Sequence, residues 1–374
     1  MTRKLISLEA VRGIASLIVL VHHVILGFAP ELKTDYPAGF QHTPLNWMIN
    51  GTAAVALFFV LSGFVLTRRF YEMDRQTALL LWATVKRLPR LILPAGLSVM
   101  LGYLIMANGL HHNAEAAILS DSVWLNHFAL VDGRHDYVPP IREVFLQSFQ
   151  MFFNKDRTFF NSNLWTMRGE YLGSLMCFAY LLVYPFMRHW RLGLLAINLA
   201  LLWLSPLAGE FATPFALGCL LAQYLPRGEI KMPLWAGLLV LALALILCSS
   251  DKPVPMALGG FFVLLAVLCC QGLSAPLSGK IGSTLGAISF PIYLVHLLVI
   301  VTVSSGLYVQ LQPAGLGRYT LLAIEIAVTL GVSLVIAEPF RWIDRWWVPA
   351  LNRLVTRLET ARQAYFRASM AGKI

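Results

Sequence analysis

What most constrains this chain is the spacing of its apolar runs. A helix needs about 20 mostly apolar residues to cross a hydrocarbon core of roughly 30 Å. Runs of that kind recur at roughly 6–29, 48–68, 91–110, 164–186, 191–207, 210–226, 233–250, 254–272, 284–308 and 318–340. Inside lipid each backbone N–H and C=O must be satisfied within the protein, so such runs form helices. Composition agrees: 58% of the 374 residues are hydrophobic and only 13% charged, and the mean hydropathy is +0.68, whereas soluble domains are about 25% charged. The expectation is an all-α polytopic membrane protein with about ten transmembrane helices.

The basic residues orient it. If the N-terminus is cytoplasmic, the inner segments carry twenty lysines and arginines and the outer ones seven, with Arg12 and Arg168 inside spans. Cytoplasmic loops are enriched in Lys and Arg, and a miscounted span would move every later loop to the other side. Both termini are therefore expected in the cytoplasm. Arg3 and Lys4 before a long apolar run, with "GFAP" as a poor cleavage site, suggest an uncleaved first span rather than a signal peptide. The net charge of +10 is accounted for by inner loops lying against anionic lipid, so no nucleic-acid partner is expected.

Residues 1–340 read as one membrane domain. Residues 341–374 form a basic tail in which Trp342, Trp346, Trp347, Leu351, Leu354 and Leu358 recur at helical spacing, as in an interfacial helix. The longest connection, about 108–163, holds semi-apolar stretches such as "DSVWLNHFALV", suited to interfacial helices or a lid. Five of nine histidines fall on the outer side, but without metal-ligand spacing, and the five cysteines lie within spans. No metal and no disulfide is expected.

Charged groups within spans are costly unless paired or hydrated, so they mark function. In "LEAVRGIASLIVLVHH", Arg12 and His23 are eleven residues apart, within about 20° of three full turns and about 16 Å along the axis. They share one helix face, with Arg12 toward the cytoplasm and His23 toward the outside, whereas His22 points elsewhere. A polar track across the membrane and a snorkelling arginine with an outer histidine cap both fit this spacing. Arg168 and Glu170 stand at the outer start of the fourth span, His296 in the ninth, and Glu338 and Arg341 at the inner end of the tenth. Arg87 and Arg90, in "KRLPRLILP" just before the third, suit either anion binding or positive-inside anchoring. Ser62–Gly63 in "FFVLSGFVL" lacks a nucleophile elbow and reads as a close helix contact.

Together these motifs resemble the acyltransferase-3 family of integral membrane O-acyltransferases. The family's first span carries an arginine, ten intervening residues and a histidine, matched here by Arg12 and His23 and missed by His22. "FFVLSGFVL", "KRLPRLILP", "LWTMRGEY", "SFPIYLVH" and "EPFR" follow in family order. At the fourth span Arg168 and Gly169 precede Glu170, where the family shows a small polar residue and an aliphatic.

The resemblance implies transfer of an acyl group, commonly acetyl, from cytoplasmic acyl-CoA to a hydroxyl of a cell-surface or lipid-linked carbohydrate. The expected home is a bacterial inner membrane, with acyl-CoA as a donor substrate and no permanently bound cofactor. On this reading Arg12, Arg87 and Arg90 receive the donor phosphates. His23 is the general base or is acylated itself, and Glu170, expected at the outer end, orients His23 or the acceptor. His296, Arg168, Glu338 and Arg341 are further candidates, the last two as an ion pair. A secondary transporter or glycan exporter is the other reading of intramembrane Arg, His and Glu.

Overall fold

The computed structural model describes residues 3–34, 39–71, 77–131, 133–154, 156–187, 211–225 and 230–371. Within these residues the fold is helical, apart from one isolated bridge between Val131 and Arg134. Long apolar sequence becomes α1 (Arg3–Phe28), α2 (Gly51–Tyr71), α3 (Thr77–Ala107) and α7 (Thr166–Met187). Between α3 and α7, the outer connection folds as α4 (Asn113–Ser120), α5 (Val123–Asn126) and α6 (Arg142–Gln150). Beyond lie α8 (Ala212–Tyr224), α9 (Leu234–Cys248), α10 (Pro253–Cys269), α11 (Gln271–Leu277), α12 (Lys280–Val299), α13 (Ser305–Leu311) and α14 (Arg318–Ala371).

Among the described residues, five helices are long and apolar enough to cross a membrane, or six if the bent pair α10–α11 counts as one span. The run expected at 191–207 lies outside them. Two boundaries differ from expectation. The third span begins well before 91, so Arg87 lies within its apolar window, Leu80–Ala107, rather than in a loop ahead of it. The last span does not stop at 340: α14 runs unbroken for 54 residues, through Pro339 and Pro349 and into the basic tail.

The bundle is organised on α1, which packs against α12, α2, α14 and α11. The α1–α12 contact has no room for side chains. A Cβ added at Gly13 would fall 2.5 Å from Leu285 Cβ, and one at Gly286 would fall 2.4 Å from Glu9 Cβ. This approach lets a short reach from α1 meet α12 twice, at Arg12 and at His23. Because Arg12 meets Gly286 and Ser289 while His23 meets His296, the two helices run parallel.

The outer connection is fastened to the end of α1. A helix leaves its last carbonyls unsatisfied, and here Ser120 Oγ donates to Gly27 O at 2.8 Å and Ser122 Oγ to Leu26 O at 2.5 Å. Asn113 Nδ2 then ties the segment together through Leu125 O and Phe128 O, at 3.0 and 2.8 Å. These bonds set α5 directly over the end of α1 that carries His23.

One buried feature has no counterpart among the sequence expectations. Leu321, Glu325, Thr329, Ser333 and Ala337 recur every four residues as the buried stripe of α14. Thr329 meets Ser304 at 2.7 Å, in the π-helical turn Ile300–Ser304 that follows α12.

Candidate active site

The last turns of α12 are held by two asparagines that lie just ahead of α7. Asn161 Nδ2 donates to Leu294 O at 2.9 Å and Asn163 Nδ2 to Tyr293 O at 2.5 Å. The Tyr293 hydroxyl donates to Asn163 O at 2.5 Å and also bonds Thr166. His296, one turn beyond, is fully buried, and its placement follows from that clamp.

His296 Nδ1 lies 3.0 Å from Ile292 O and its Nε2 lies 2.8 Å from His23 Nδ1. A carbonyl can only accept, so Nδ1 of His296 carries the hydrogen and Nε2 of the neutral ring offers a lone pair. His23 must therefore donate from Nδ1, which leaves its own Nε2 as the unprotonated nitrogen. That is the state a general base requires. His22 faces another way. Its Nδ1 meets Ile49 O at 2.7 Å, and its ring packs where α2 begins, against Gly51.

Arg12 is anchored by Glu9 at 2.5 Å, Ser289 Oγ at 2.9 Å and Gly286 O at 3.1 Å. It lines a partly open cavity together with Ser62, Arg87, Arg90, Glu170 and, from the tail, Asp344. Phe58, Phe59, Phe290 and Tyr293 supply apolar walls. Tyr293 ends the cavity nearest the histidines, its ring 6.0 Å from that of His296. The tail braces this cavity: Trp347 Nε1 donates to Pro89 O at 2.8 Å.

Glu170 does not stand beside His23. Its carboxylate pairs with Arg87, which is 7% exposed, and accepts from Ser62 Oγ at 2.9 and 3.2 Å. The expectation that it orients His23 is corrected by these contacts. The physical reason is depth: with α3 starting at Thr77, Arg87 reaches the level of the first turn of α7, and a buried guanidinium takes the nearest carboxylate.

The other side of His23 is covered by a residue that sequence reasoning did not single out. The Trp124 ring from α5 stacks on His23 with centroids 5.1 Å apart and planes 18° from parallel, and Phe128 meets Trp124 edge-on at 4.4 Å. The only signal was an aromatic in the longest connection. Asp344 is likewise unassigned by the sequence, where Ser62 reads only as part of a close helix contact.

The fold thus gathers Arg12, Arg87, Arg90 and Glu170 into one cavity and sets His23 and His296 just past its Tyr293 end. Glu338 and Arg341 pair with each other one turn apart, as expected, but neither lines that cavity. Arg168 does not line it either. Among the described residues no group of three or more His, Cys, Asp or Glu side chains has the proximity of a metal site.

Comparison with curated proteins and with solved structures gives no match. A family profile described as an acyltransferase domain matches residues 5–338, which takes in both histidines of the pair and, Asp344 apart, every residue of the Arg12 cavity. The chain belongs to the acyltransferase-3 family of integral membrane proteins.

Proposed function

We propose that this protein transfers an acyl group, in the first instance acetyl, from cytoplasmic acyl-CoA to a hydroxyl of a cell-surface or lipid-linked carbohydrate. On this reading ten spans cross a bacterial inner membrane and both termini face the cytoplasm. The observation that carries it is the order of groups along α1: a cationic cavity at Arg12, then the His23–His296 pair, with His23 left holding a free Nε2 lone pair.

The donor's phosphates are anionic and suit Arg90 and, beyond its pairing with Glu9, Arg12, with the more buried Arg87 committed to Glu170. Bidentate recognition of phosphate is what a guanidinium does best. The acyl-pantetheine arm extends past Tyr293 toward the histidines. His23 Nε2 takes the acceptor's O–H proton as that oxygen attacks the thioester carbonyl. The C–S bond breaks, and the proton passes to the departing thiolate, giving an ester and the free CoA thiol. His296 holds His23 in the reactive tautomer throughout. Glu170 acts on the donor side, fixing Arg87 and Ser62.

The test is thiol release from acetyl-CoA by the purified protein, with and without a crude membrane-glycan acceptor. Wild type is expected to release thiol in an acceptor-dependent way and His23→Ala to release none while remaining folded. Arg12→Ala is expected to raise KM for acetyl-CoA about tenfold or more, the loss of one charge-assisted contact. Absence of thiol release from folded wild type, with several acyl-CoAs and acceptors, overturns the reading in favour of transport.

A further inference from the structure

Acyl transfer leaves one ionisable side chain inside the bundle without a task. Glu325 lies seven residues into α14, about 10 Å along the helix from its start. It is 0% exposed, and neither of its carboxylate oxygens has a hydrogen-bond partner. A carboxylate taken out of water without a donor or counter-charge is strongly destabilising, and an ionisable group within a span marks a site for what neutralises it.

The groups that could neutralise it within the chain are committed elsewhere. Arg318, the basic residue nearest to it along α14, pairs with Glu31 at 2.7 Å. Ser305 Oγ donates to Ile300 O at 2.7 Å. The hydroxyls of Thr329 and Ser304 lie 2.7 Å apart and bond each other, which uses one hydrogen and leaves both oxygens with lone pairs.

Those two oxygens stand beside the carboxylate. Thr329 is four residues from Glu325 on the same buried stripe, so their Cβ atoms are about 5–6 Å apart. Two oxygen ligands of a hard cation, each at about 2.3–2.6 Å, span a similar distance. Ser304 reaches Thr329 from the π-helical turn Ile300–Ser304, a kind of turn found frequently at functional sites. Thr329 and Ser304 are, like Glu325, 0% exposed. One carboxylate with neutral hydroxyl oxygens is a hard-cation ligand set. Its single negative charge is balanced by a single positive one, whereas a divalent ion would leave a buried excess of charge.

We propose that Glu325, Thr329 and Ser304 form a binding site for a small monovalent cation, sodium, which ties α14 to the π-helical turn that follows α12. The inference is independent of the acyl-transfer reading.

The test uses the full-length protein in lipid nanodiscs, dialysed into choline chloride at fixed pH. Its melting temperature is followed as sodium or potassium chloride replaces choline at constant ionic strength, and sodium retained through dialysis is counted by flame emission. Wild type is expected to gain about 5 °C at sodium a hundredfold above its Kd, saturably and with a weaker response to potassium, or to retain sodium through dialysis. Glu325→Gln is expected to lose both the response and any retained sodium. Thr329→Val keeps the side-chain shape while removing one ligand oxygen, and is expected to need about tenfold more sodium for the same gain; it decides the matter if Glu325→Gln fails to fold. A sodium response unchanged in the variants, or matched by potassium, overturns the proposal. Wild type that neither retains nor responds to sodium also overturns it, leaving Glu325 as a neutral carboxylic acid only.

Discussion

His23 Nδ1 and His296 Nε2 lie 2.8 Å apart, and between neutral rings that bond runs one way only, because His296 Nδ1 is already spent on Ile292 O. His296 is therefore a positioning residue that selects the tautomer of His23. His296→Leu removes the acceptor and frees His23 to adopt the unreactive tautomer. Its kcat is expected to fall on the order of a hundredfold, within the range that general-base catalysis contributes, with little change in KM for acetyl-CoA. His296→Gln retains an acceptor oxygen and is expected to recover part of that loss. Equal losses in both variants would assign His296 to packing alone.

The Arg87–Glu170 pair predicts a stability effect separable from catalysis. Arg87 is 7% exposed and Glu170 17%, so removing one partner strands a charge in a poorly solvated site, a change that typically costs about 3–5 kcal/mol. Glu170→Gln is expected to lower the melting temperature in detergent sharply. Replacing both, as Arg87→Met with Glu170→Leu, is expected to restore much of the stability while leaving the protein inactive. A double variant no more stable than Glu170→Gln would show that the pair is not the unit that matters.

Apolar run length was enough to locate α1, α2 and the α12 segment, because one-dimensional hydropathy is the signal that lipid selects. The shared face of Arg12 and His23 was also legible, since 3.6 residues per turn fixes it, but what they touch was not. The meeting of His23 with His296 depends on a bond between residues 273 apart in sequence, and nothing local encodes it. Glu170 was misplaced for a related reason: "KRLPRLILP" looks like a loop flank, whereas α3 continues upstream from it and carries Arg87 into the membrane domain. Trp124 was invisible because aromatics at membrane surfaces are common anchors, and only the stacking on His23 gives it a particular role.

The small-residue contact expected at Ser62–Gly63 has a measurable counterpart across the interface. A Cβ at Gly218 on α8 would sit 2.1 Å from Val60 O, and one at Gly63 on α2 would sit 2.3 Å from Phe215 O. Both obstacles are backbone, so no rotamer change relieves them and the helices must separate. Gly218→Ala is expected to cost about 1–3 kcal/mol as overpacking, read as a lower melting temperature. If the residual folded protein has normal KM for acetyl-CoA, the α2–α8 contact is structural; unchanged stability would mean the helices are free to part.

Trp124 stacks on the His23 ring, and α5 is pinned there by Ser122 Oγ on Leu26 O. A base poised beside a thioester needs protection from water, since water can replace the acceptor and give free acid plus thiol. On the proposed acyl-transfer reading, the indole shields that base from water. Trp124→Ala is therefore expected to raise acetyl-CoA hydrolysis without acceptor on the order of tenfold, a barrier change of about 1.4 kcal/mol, while transfer to acceptor falls. Trp124→Phe, which keeps an aromatic face over His23, is expected to stay close to wild type. The ratio of hydrolysis to transfer is the decisive quantity, because a variant that merely loosens the fold lowers both rates and leaves that ratio where it was.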